Sequence, residues 1–343
     1  MYQKKKQVFI VDFDNTILPF GDETFKLGFQ ELLGDEYCKE LYQLYDGKKS
    51  FTDKFIDKYK HDIDKSEIKI LWNNFTKSVL FESFEKLESL GKLKFNEIYE
   101  RAKEIPDGEN ALSYYIENII FPVIDLANVC VYKLKPCKEF VELATQVELL
   151  GGILVINTAK PQSMIENELS LFALSSDYVI FNKLIQNKLI FGTTLEHCKF
   201  NSNRIEFIIN ELLQNKLLNL TENNDLQNID ITIIGDGGTD IKNFEDYIKE
   251  NPRQPATFLL VDKSQQEVVD DVCKDISIYN SWQEKYKKDC SRLTDICGLM
   301  ETNKSSSKEL LENNDAVTLT NIHKYFGGSP VEMFNLAKKY LSI

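Results

Sequence analysis

The chain has 343 residues, 43% hydrophobic and 28% charged, enough to bury a sizeable core and to form about two domains, or one domain with a large insert. With 15 glycines, 8 prolines and 11% aromatic residues, the composition argues against a collagen-like, coiled-coil or disordered chain. The 41 basic against 54 acidic residues, a net charge of −13, argue against broad binding to a nucleic-acid backbone, which normally requires a basic footprint.

The chain opens with Lys4, Lys5 and Lys6 before a short apolar run stopped by Asp12. That run is far too short for a signal-peptide core and predicts a strand over Gln7 to Val11. From there to Lys138 no strand is evident, but apolar residues recur at helical spacing, as in Phe25, Leu27, Phe29, Leu32 and Leu33. A helical domain inserted near the start of an α/β core is predicted. The longest apolar stretch, Tyr114 to Leu134, contains Glu117 and Asp125 and makes a poor membrane span.

Beyond it, strands are predicted at Gly152 to Ile156, Asp177 to Phe181, Asp230 to Ile234 and Thr257 to Val261. Their runs are continuous rather than alternating, as in a parallel sheet covered on both faces. Helices are predicted at Lys138 to Leu150, Pro161 to Leu174, Asn203 to Asn215 and Ile241 to Lys249. The polar centre of Phe181 to Gly192 reads as a hairpin turn. Thr302 to Lys308 reads as a polar linker, and Ser329, Pro330 and Glu332 as the capped start of a last helix. The expected fold is therefore α/β, a three-layer Rossmann-like parallel sheet. Residues 1–18 and 134–281 form the core, 19–133 the helical cap and 282–343 a helical C-terminal extension. The seven cysteines form no CxxC pair and read as reduced thiols of a cytoplasmic protein.

Chemistry gathers at the ends of the predicted strands. Asp12 and Asp14 close the first, and Asp236 and Asp240 follow the fourth. Carboxylates facing each other near 4 Å repel by about 4 kcal/mol at an effective dielectric of 20, so a cation or a proton must compensate. Hard oxygen ligands suit Mg²⁺. Thr158 lies between a strand and a helix, where it can cap the helix or bind an anion, and Lys199 precedes the next helix. The Gly235 to Asp240 stretch also approximates a dinucleotide fingerprint, but Asp240 replaces its third glycine and would repel a pyrophosphate.

In this order the four pieces resemble the haloacid dehalogenase (HAD) superfamily: Asp12, Asp14 and Thr16 as D-x-D-x-T, Thr158 as the second motif, Lys199 as the third, and Gly235, Asp236 and Asp240 as G-D-x-x-x-D. The resemblance spans about Gln7 to Asp275 and looks closest to the phosphoserine phosphatase-like branch, whose cap enters after the first motif. It implies a phosphatase in which Asp12 attacks phosphorus and Asp14 is the general acid and base. Asp12, the Asp14 backbone carbonyl and Asp236 would hold Mg²⁺, with Asp240 in support, while Thr158 and Lys199 bind the phosphoryl oxygens. Dehalogenases and P-type ATPases lack Asp at the position of Asp14. The third-motif Lys of that branch usually stands immediately at its helix. Lys199 lies a few residues early, which leaves Arg204 and Lys160 as substitutes.

A cap favours a small phosphorylated metabolite as substrate. The size of the insert and the C-terminal extension also resemble HAD phosphatases that intracellular bacterial pathogens deliver into host cells. A phosphotyrosyl protein is then the alternative substrate, a host cell the alternative location, and an inactive binding protein the further alternative. In the last helix Phe334, Ala337 and Leu341 fall on one side. That stripe either docks on the core or, with Lys338 and Lys339, contacts a membrane or partner.

Overall fold

The computed structural model describes residues 5–24, 134–194, 197–218, 229–265, 276–297 and 323–341, together with residues 77 and 82. The predicted cap over 19–133 and the linker at 302–308 lie almost wholly outside the described residues. The elements are β1 (Lys6–Val11), α1 (Lys138–Leu149), β2 (Ile153–Pro161), α2 (Gln162–Phe172), α3 (Ile180–Gln186), β3 (Ile190–Thr193), α4 (Arg204–Gln214), β4 (Ile229–Gly235), α5 (Gly238–Glu250), β5 (Ala256–Val261), α6 (Ile276–Cys297), β6 (His323–Gly328) and α7 (Pro330–Leu341).

The six strands form one sheet in the order β3-β2-β1-β4-β5-β6, and every neighbouring pair is parallel. β1, β4 and β5 are buried on both faces, which accounts for their continuous apolar runs, whereas the edge strand β6 is half-buried. Within β1, Phe9 and Val11 pack with α1, α2, α3 and α7, whereas Val8 and Ile10 pack with α4, α5 and α6. Strand order reverses direction between β1 and β4, and in open α/β sheets ligands bind at that reversal, outside the carboxyl ends of the strands. Register makes the placement sharp. Val11 is level with Ile156 of β2 and Ile234 of β4, so Asp12, Thr158 and Asp236 all emerge within two residues of one line.

One stretch departs from the sequence reading. Asp177 to Phe181 is not a strand, and Phe181 to Gly192 is not a hairpin. Ser176–Tyr178 is a single 3₁₀ turn, Ile180–Gln186 is helix α3, and the third strand begins at Ile190. The buried residues Ile180, Phe181 and Leu184 recur at helical spacing, and an apolar run this short carries no period to separate the two readings.

Among the described residues, the C-terminal stretch contributes helices α6 and α7 and also an edge strand, β6, paired along β5. Helix α7 begins with a reciprocal cap. The Ser329 amide donates to Glu332 Oε2 at 2.9 Å, and the Glu332 amide donates to Ser329 Oγ at 3.3 Å. Its apolar stripe docks on the core: Phe334, Ala337 and Leu341 are buried, and the Phe334 ring meets Phe140 of α1 edge to face at 5.8 Å. Lys338 pairs with Glu142 of α1 at 2.5 Å. This stripe is therefore not available to a membrane or partner. Phe334→Ala is expected to cost about 3–5 kcal/mol, read as a lowered midpoint in urea unfolding. A change under about 1 kcal/mol would contradict the docking.

Candidate active site

Asp12 stands one residue past β1, where its amide still donates to the Ile234 carbonyl at 2.8 Å, so it is held as if the strand continued. Asp236 stands one residue past β4 and Asp240 in the first turn of α5. Gly235 lets the Asp240 carboxyl fold back over the strand end, because a Cβ there would fall 2.5 Å from the Asp240 Cγ. Asp12, Asp236 and Asp240 are buried and each offers a carboxylate oxygen within 4.8 Å of the others. Three hard oxygen donors at that spacing fit a small divalent cation.

Two ammonium groups already sit among these acids. Lys199 Nζ donates to Asp12 Oδ1 at 2.5 Å and lies 2.8 Å from Asp240 Oδ1. Its loop is tied to α5 by Asn243, whose side-chain amide donates to the Lys199 carbonyl at 3.3 Å. Lys263, just past β5, reaches Asp236 Oδ2 at 2.6 Å. The charges shape one another. Burial pushes the Asp12 carboxyl well above its usual range, with Asp240 adding to the effect and Lys199 opposing it. Burial also pushes Asp240 up to about 6 in spite of the Lys199 ammonium. Burial would raise Asp236 too, but the ammoniums of Lys263, Lys285 and Lys199 hold it well below the usual carboxylate range.

Asp14 belongs to a second cluster. Lys160 Nζ lies 2.9 Å from Asp14 Oδ1 and 2.5 Å from Glu168 Oε2 of α2, bridging two acids. Burial raises Asp14 to about 7 even against the Lys160 charge. Thr158 is buried, and its hydroxyl accepts from the Lys160 amide at 3.2 Å.

Asp12, Asp14, Thr158, Lys199, Asp236 and Asp240 line a single cavity of about 100 Å³, joined by Asp22 and by Lys285 of α6. Neither Lys160 nor Arg204 lines it. Arg204 turns instead into the sheet. It donates to Asn157 Oδ1 and to the Phe191 and Gly192 carbonyls, each at 2.9 Å, so it closes the end of β3 against β2. Arg204→Gln is expected to lower stability by about 2–3 kcal/mol, read as a fall in Tm. An unchanged Tm would remove it from that role.

Sequence reasoning missed Lys263, Glu168 and Asn243. Lys263 was the most accessible of the three, since it follows an apolar strand just as Asp12 and Asp236 do.

No protein-family model matches the sequence, and no curated protein matches it. Among solved structures the chain is similar to a HAD family hydrolase from Deinococcus radiodurans R1, with bound phosphate and sodium. The identity is 9%, the match covers 82% of this chain and 89% of that one, and the TM-score is 0.35.

Proposed function

We infer that the protein is a Mg²⁺-dependent phosphomonoester hydrolase of the HAD type, with a small phosphorylated metabolite as its substrate class. The observation that carries this reading is the gathering of Asp12, Asp14, Thr158, Lys199, Asp236 and Asp240 around one cavity at the strand-order reversal. Asp12 attacks phosphorus through a carboxylate oxygen. The new P–O bond forms as the ester P–O bond breaks, and Asp14 gives its proton to the departing oxygen. Asp14 then takes a proton from water as that water attacks the aspartyl-phosphate, releasing inorganic phosphate and restoring Asp12. Lys199 and Thr158 hold the phosphoryl oxygens, since positioning and charge stabilisation dominate this chemistry. Asp12, the Asp14 backbone carbonyl and Asp236 would hold the metal, with Asp240 behind them. When bound, Mg²⁺ supplies positive charge that offsets repulsion between the nucleophile and the phosphate.

The 100 Å³ left between the described side chains supports a phosphoryl group as the part of the substrate bound there. Hydrolysis of p-nitrophenyl phosphate tests the reading. Turnover is expected to need Mg²⁺, to vanish in EDTA and to return when Mg²⁺ is restored. Ca²⁺ is expected to inhibit, because its larger coordination shell allows both oxygens of Asp12 to bind metal. Full activity in chelator would refute the metal dependence, and no turnover with any phosphomonoester would favour a binding protein. A screen of phosphorylated metabolites against phosphotyrosyl peptides separates the substrate classes.

A further inference from the structure

Lys263 has no part in the chemistry above, yet it is 3% exposed and sits on Asp236, one of the residues that would hold the metal. Its position is built. The chain leaves β5 at Asp262, whose amide donates to the Gly328 carbonyl of β6 at 2.7 Å. The Asp262 carboxylate then caps the turn that follows, accepting from the Ser264 amide at 3.0 Å, the Ser264 hydroxyl at 2.5 Å and the Gln265 side-chain amide at 2.6 Å. That locked turn, Lys263–Gln265, sends the Lys263 side chain to Asp236 Oδ2 at 2.6 Å. The same oxygen takes a second, longer hydrogen bond from the Asn15 side-chain amide at 3.4 Å.

Lys199 is in contact with Asp12 and Asp240 rather than Asp236, and it and Lys285 act on Asp236 only through space, so Lys263 is the ammonium in contact with that carboxylate. Without Lys263, Asp236 would be a buried carboxylate beside two others with no cation in contact, an unfavourable arrangement. Lys263 removes that cost in the metal-free protein. A divalent ion bound to Asp236 would then stand next to a fixed like charge across one carboxylate, where water provides little screening.

We propose that Lys263 is a resident counter-cation of the metal site, which occupies Asp236 without metal and lowers the affinity for the divalent ion by competing for that carboxylate. The proposal rests on the metal reading of the three-acid cluster. Its test is metal binding rather than turnover. Full-length protein stripped with EDTA and dialysed is titrated with Mg²⁺, and with Mn²⁺, by calorimetry, and melting is followed in parallel. Lys263→Gln is expected to bind either ion at least about tenfold more tightly than wild type, while melting at a lower temperature in EDTA. Lys263→Arg, which keeps the charge, is expected to stay within about threefold of wild-type affinity.

Equal or weaker binding by a cooperatively folded Lys263→Gln overturns the proposal and leaves the metal reading intact. A wild-type protein that binds neither ion overturns both. Should Lys263→Gln fail to fold without metal, the wild type supplies the measurement through the ¹⁵Nζ resonance of Lys263 in lysine-labelled protein, assigned against Lys263→Arg. That resonance is expected to move on saturation with Mg²⁺. A resonance that stays in place means the ion takes nothing from the lysine, and overturns the proposal.

Discussion

Asp12→Asn is expected to reduce p-nitrophenyl phosphate turnover by at least about 10⁴-fold, the scale on which loss of a covalent nucleophile is felt. A carboxamide cannot form the acyl-phosphate, whereas its shape and its backbone bond to Ile234 are preserved. The variant should therefore fold, with a Tm within a few degrees of wild type. Lys199 would still have Asp240 at 2.8 Å as a partner, so the exchange does not strand a buried ammonium. Turnover within tenfold of wild type in a properly folded variant would end the nucleophile assignment.

Asp14→Asn should lose roughly 10² to 10⁴ in rate, but unevenly across substrates. An alkyl phosphate, whose leaving oxygen needs a proton, should suffer the full loss, and p-nitrophenyl phosphate, whose phenolate departs readily, a smaller one. Single-turnover release of the alcohol adds a second check. Burial lifts the Asp14 carboxyl to about 7, so its acid form is populated at neutral pH and is depleted as pH rises through that value. Release of a poor leaving group should slow across that window in wild type and stay flat in the Asn variant. Equal losses on both substrates would take Asp14 out of the acid role.

The architecture was legible because its signals were redundant. Each of β1, β2, β4 and β5 contains a continuous apolar run, β2 and β4 lead directly into helices, and the predicted strands overlap all four. The chemistry was legible for a related reason: in a parallel sheet the residues that follow the strands are brought together whatever their distance in sequence. Misreading began where the redundancy failed. Tyr178 to Phe181 is rich in β-branched and aromatic residues, and only tertiary packing against Phe140 and Phe172 makes it helical. Charge pairing was the other blind spot. Nothing in the order of residues links Lys160 to Glu168, or Lys263 to Asp236, because each pairing depends on how far a flexible side chain reaches once it is buried. The same cause kept the sequence from choosing among Lys199, Arg204 and Lys160.

The sheet order also bears on how the chain comes to be folded. β1 lies at the centre, yet both of its neighbours are distant in sequence: Val8 aligns with Ile153, and Gln7 with Asp230, 223 residues further on. At a synthesis rate of about 5–20 residues per second, β1 waits on the order of 10–45 s for its β4 partner to be made. Until β2 is made the apolar Val8 to Val11 run has two unpaired edges, one stays open until β4 follows, and loop-closure entropy opposes early pairing. Such a strand is a natural target for chaperones that hold extended apolar segments. Recovery of soluble protein should accordingly rise when growth temperature is lowered or such a chaperone is supplied in excess.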